Sequence, residues 1–72
     1  MELFILSTNV QNRSGKRFLE PLLNQHPSVN KWSIDLEDID KVLRIEAKDN
    51  AKEGDIIELL KNSGIKCASL PD

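Results

Sequence analysis

VNKWSIDLEDIDKVLRIEA, residues 29–47, is the stretch whose reading decides the fold. Residues 29–36 alternate, with Trp32, Ile34 and Leu36 on one face and Lys31, Ser33 and Asp35 on the other. Residues 41–47 alternate again, with Leu43, Ile45 and Ala47 inward and Val42, Arg44 and Glu46 outward. The polar connection Glu37-Asp38-Ile39-Asp40 is too long for a two-residue turn and short enough to return the chain antiparallel. The stretch is a hairpin with one apolar face, and that face needs a cover.

On either side of the hairpin the apolar spacing changes to that of a helix. Around residues 14–25, Phe18, Leu19, Leu22 and Leu23 fall on one stripe, and Asn12 or Ser14 caps the start by accepting a bond from a free backbone N–H. Pro21 lacks an N–H and crowds the carbonyl of Arg17, which predicts a kink or a late start near Leu19. His26-Pro27-Ser28 ends the segment. Downstream, Asn50 and Glu53 have the spacing of a capping box; Ile56, Ile57, Leu59 and Leu60 supply a stripe, and Ser63-Gly64 a stop. Residues 2–6, continuously apolar from Leu3 onward, read as a central strand, residues 65–70 read as a last strand, and Pro71-Asp72 closes the chain. The order β-α-β-β-α-β with right-handed crossovers predicts an α+β, ferredoxin-like sandwich: four antiparallel strands in the order 4-1-3-2, with both helices on one face.

Seventy-two residues make one small domain, 1–72, near the lower limit for a chain that buries its own core. The net charge of −2, with both signs interspersed, argues against nucleic acid and against an anionic membrane surface, which both want a clustered basic face. Cys67 is the only cysteine, so no internal disulfide forms and a single chain cannot build a two-thiolate metal site. The opening Met1-Glu2 and the short run after it lack the form of a signal peptide, and no stretch has the length of a membrane span. A cytoplasmic protein is the expectation.

Several stretches resemble the heavy-metal-associated domain, the fold of small copper chaperones and of the N-terminal modules of metal ATPases. His26-Pro27-Ser28-Val29 is similar to that family's leucine-proline-glycine-valine lead-in to the second strand. Trp32-Ser33-Ile34-Asp35-Leu36 with Lys41-Val42-Leu43-Arg44-Ile45 resembles its central hairpin. Asp55-Ile56-Ile57-Glu58-Leu59-Leu60-Lys61-Asn62-Ser63-Gly64-Ile65 resembles its second helix. The resemblance implies a glycine-methionine-x-cysteine-x-x-cysteine loop after the first strand. Counted back from Pro27, that loop falls on residues 9–15: Val10 takes the place of the buried methionine, and Asn12 and Gly15 those of the two cysteines. Neither supplies a thiolate, so the metal ligands of the family do not carry over.

Other candidate residues fare as follows. His26 alone is a poor site for Cu(I), which prefers soft thiolates, and reads as a histidine ending a helix. Cys67, on the last strand, whose start lies near the first loop, reads as a small buried hydrophobe. Asp35, Glu37, Asp38 and Asp40 lack the spacing of a calcium loop and read as a solvated turn. Arg13, Lys16 and Arg17 gather where the first helix begins, a basic cluster that either is solvated or receives a small anion or an acidic partner. If Leu3 and Ile5 face the helices, then Phe4 and Leu6 join Val42, Ala68 and Leu70 on the open sheet face, a patch suited to self-association or a partner.

No nucleophile, base and metal ligand stand at a recognisable spacing, so an enzyme is not expected, nor is a cofactor. The leading expectation is a protein-interaction or dimerisation module without its own metal site. Two alternatives stand beside it: a metal chaperone or sensor sharing an ion between Cys67 and His26 of two chains, and a regulatory domain sensing a small ligand.

Overall fold

A computed structural model of the chain describes residues 1–70. It contains β1 (Glu2–Thr8), α1 (Arg13–Asn24), β2 (Val29–Ile34), β3 (Leu43–Ala47), α2 (Glu53–Asn62) and β4 (Cys67–Ser69). The four strands form one antiparallel sheet in the order β2-β3-β1-β4, which is 4-1-3-2 read from the other edge. Leu19 and Leu23 of α1 share one buried cluster with Ile56 and Leu60 of α2 and with Phe4, Leu6, Leu43, Ile45 and Ala47 of the sheet. Both helices therefore cover the same face, as the chain order predicts. The closing Pro71-Asp72 lies outside the described residues.

Helix α1 begins at Arg13, not near Leu19, and Pro21 stands inside it. Two features permit this. The side chain of Asn12 accepts from the Gly15 N–H at 3.1 Å and fixes the start. Arg17 and Pro21 share the solvent side, so the carbonyl that loses its partner is not shut away from water. The end of α2 also follows its sequence. Gly64, at φ +91°, turns the chain in the left-handed region; its N–H bonds to the Lys61 carbonyl, and that of Ile65 to the Leu60 carbonyl. This is a Schellman motif, and it delivers Ile65 into the core beside Leu60. The start of α2 departs from expectation. Its cap position is Lys52, with no side-chain bond, so Asn50 and Glu53 form no capping box; Glu53 and Asp55 instead favour that end through the helix dipole.

The orientation of β1 is the main correction. Phe4 and Leu6 pair with Ile45 and Leu43, and all four lie on the helix face. Leu3, 56% exposed, and the half-buried Ile5 face the other way. A run of four apolar residues has no alternation to read, so its orientation comes only from pairing. Phe4 and Leu6 therefore leave the proposed open-face patch. Val42 is also covered, although it stands outside the main core cluster, and its carbonyl accepts from the Asp35 N–H at the neck of the β2–β3 loop. The open face keeps Leu3, Ile5, Ala68 and Leu70, interrupted by Lys31, Arg44 and Glu46. In β2 a bulge between Val29 and Lys31 changes the parity once, so that Val29 pairs with Ala47 and packs on the core while Lys31 stays outside.

Candidate functional site

The site is the segment between β1 and α1, together with what the fold lays beside it. Thr8 anchors its first residue: its hydroxyl donates to the Lys41 carbonyl at 2.8 Å and accepts from the Val10 N–H at 3.3 Å. Asn9 is tied to the chain ahead of β4, its N–H donating to the Lys66 carbonyl and its side-chain oxygen accepting from the Lys66 N–H. These bonds turn Val10 inward, where it is only 5% exposed and belongs to the core. Val10 thus fills the buried position that the family resemblance assigns to it.

The two positions matching the family's cysteines are occupied in another way. The Asn12 side chain is turned back onto the Gly15 N–H as a helix cap. A Cβ built on Gly15 would stand 2.8 Å from Cγ1 of Val10, closer than side-chain carbons approach in folded proteins. The segment is a packed joint in which each of Val10, Asn12 and Gly15 has a structural partner.

Beside the joint lies a cleft of about 340 Å³, lined in part by Val10, Gly15, Phe18, Ser63, Gly64 and Ile65. Phe18 is the apolar residue of the α1 stripe that the core does not absorb: it sits at the edge of the stripe and is 50% exposed. The sequence shows Phe18 as part of a buried stripe and does not connect it with Ser63, Gly64 and Ile65. The available signal was topological, because the end of α2 and the start of β4 meet the first loop in this strand order.

The remaining candidates separate. Arg13, Lys16 and Arg17 are all exposed at the start of α1, where Asn12 already engages the N–H groups of Gly15 and Lys16. Two of the acidic carboxylates serve the loop itself: Asp35 accepts from the Glu37 N–H and Asp38 from the Asp40 N–H. His26 lies at the far end of α1, its Nδ1 accepting from the Ser28 N–H at 3.1 Å. Cys67 is buried, with Sγ 3.9 Å from the Ile57 carbonyl. Burial pushes its thiol above the ordinary value, against a smaller opposite pull from the Lys61 charge. The basic cluster at the start of α1, His26 beyond its far end, the carboxylates around the β2–β3 loop and Cys67 of β4 lie on different segments. Among the described residues there is no cluster of three or more histidine, cysteine, aspartate or glutamate side chains able to hold a metal.

Solved structures share the architecture closely. The yeast copper transporter domain Ccc2a, determined in apo and Cu(I)-loaded states, is 18% identical, with a TM-score of 0.83 over 100% of this chain and 99% of that one. A chain of the Atx1–Cu(I)–Ccc2a complex gives 0.84 at 18% identity, covering 100% and 99%. A copper-binding domain from HMA7, a P-type ATPase, gives 0.83 at 20% identity, covering 99% and 96%. The chain has the fold of these copper domains. At such identities the likeness is one of architecture, and no protein-family model and no curated protein matches the sequence. Within this heavy-metal-associated fold, the residues present do not fit a Cu(I) ion. The loop offers an amide already used as a cap and a glycine without a side chain, whereas Cu(I) calls for soft thiolates.

Proposed function

We propose that this chain is a cytoplasmic, non-enzymatic protein-interaction module of the heavy-metal-associated fold that carries no metal site of its own. The observation that carries this reading is the joint itself. Both ligand positions are taken up by packing and capping, while the adjoining cleft presents an exposed aromatic ring.

A half-exposed phenylalanine beside a concave floor of Val10 and Ile65 is the kind of surface that partner side chains fill, with aromatic residues over-represented in such contacts. The polar rim of Asn9, Gln11, Asn12 and Ser63 supplies donors and acceptors around it. The Atx1–Cu(I)–Ccc2a complex supports the idea that a domain of this architecture meets a protein partner. The basic residues Arg13, Lys16 and Arg17 border the same end and favour an acidic partner over a basic one.

Titration with Cu(I) and with Zn(II), followed by native mass spectrometry, tests the reading because it counts ions and subunits together. The expected spectrum shows no ion retained by the monomer. One ion held stoichiometrically by each monomer would overturn the proposal. Metal-dependent dimers that Cys67→Ser abolishes would replace it with a site shared between chains.

A further inference from the structure

We infer that metal is excluded from the β1–α1 segment by a steric lock between Val10 and Gly15, over and above the missing thiolates. This rests on the reading of the segment as metal-free and states why it is so. Val10 is β-branched, which restricts its χ1, and its neighbours bury it almost completely. Its Cγ1 is therefore not a flexible end that swings aside. The methyl group occupies the space that any side chain at position 15 needs, at 2.8 Å from a Cβ placed there. The next nearest atoms, Cβ and Cα of Val10, lie at 3.6 and 3.8 Å, which is ordinary contact. One methyl group thus separates a closed position from an open one.

Two consequences follow. Restoring cysteine at positions 12 and 15 without altering Val10 forces the Cβ at position 15 into overlap with the Val10 methyl group and moves the first turn of α1, while the change at position 12 itself removes the cap. Truncating Val10 to alanine leaves a Cβ at position 15 only ordinary contacts. Val10 and Gly15 are coupled, and the segment cannot regain a two-thiolate geometry by changes at the ligand positions alone.

A double-mutant cycle on the intact chain tests this. Gly15→Ala should lower Tm by about 4–8 °C in the native background, although alanine is the better helix former. In the Val10→Ala background the same change should cost no more than about 2 °C, or raise Tm, because only contacts of 3.6 Å and beyond remain. In parallel, Asn12→Cys/Gly15→Cys and the triple variant that adds Val10→Ala are titrated with Cu(I) against a competing chelator. The triple variant should hold Cu(I) about tenfold more tightly or better, the scale on which one overpacked contact shifts an equilibrium. Equal Tm losses in the two backgrounds, or equal Cu(I) retention by the double and triple cysteine variants at any level, would overturn the lock. Neither result depends on whether the native chain binds an ion, so failure of the lock and failure of the proposed function are told apart.

Discussion

Between β1 and α1, hydrogen bonds fix Thr8, Asn9 and Val10, but the first turn of α1 itself is held only by the contact of Val10 with Gly15 and a single cap from Asn12. At its end, α1 is joined to β2 through a run of polar bonds. The His26 N–H reaches the Leu23 carbonyl, the Ser28 N–H reaches His26 Nδ1, the Val29 N–H reaches the His26 carbonyl, and Trp32 Nε1 donates to Asn24 at 2.8 Å. The polar end closes on itself. The apolar end leaves a cleft and an exposed ring. The difference shows where the fold is free to do work: directional bonds hold a junction in one geometry, whereas a junction set by shape can open a surface when one side chain changes.

The largest expected effect comes from the layer that supports both ends. Leu19→Ala and Leu23→Ala each remove a fully buried side chain and should cost about 2–5 kcal/mol in chemical denaturation. If Leu19, one turn on from Gly15, cost far less than Leu23, the apolar end would be looser than its packing indicates. The orientation of β1 can be broken next: Leu6→Ala belongs to the same class, while Leu3→Ala should stay within about 1 kcal/mol because its side chain is mostly in water. Asn12→Ala removes the only side-chain cap at the start of α1 and should cost about 1 kcal/mol by the same measurement.

Phe18→Ala sharpens the comparison differently. It should change stability by no more than about 1 kcal/mol while weakening any complex formed through the cleft, read by isothermal titration with the partner. The smallest effect is a dependence on pH. Because the folded Cys67 thiol is held above its ordinary value of 9.0, the unfolded chain releases that proton first. Stability should be constant with respect to this group below pH 9.0 and decline as pH rises beyond it towards the folded value. Cys67→Ala should remove that decline, as followed by denaturation midpoints across alkaline buffers.

The hairpin was legible because Trp32, Ile34, Leu43, Ile45 and Ala47 alternate with charged neighbours, leaving one orientation that buries them together. The Gly64 stop was legible because a left-handed residue favours glycine. Residues 3–6 carry no such contrast, so the facing of Phe4 and Leu6 was read inverted. The Asn50 cap failed because its spacing was right only for a helix beginning earlier than Glu53. Within the site, Val10, Asn12 and Gly15 were found by counting along a family pattern, which shows missing thiolates but no contact. The cleft escaped because Phe18 and Ile65 are 47 positions apart and meet only through the strand order.

By itself the sequence determined the order of elements, the strand arrangement and the absence of a thiolate pair, since periodicity, turn residues and side-chain chemistry are local properties. Only the tertiary structure decided which face of β1 is buried, that Val10 fills the space a ligand would need at Gly15, and that Phe18 borders a cleft. Those three depend on distances between segments that the chain leaves unspecified until β1 has paired with β3 and β4 and the two helices have covered one side of the sheet.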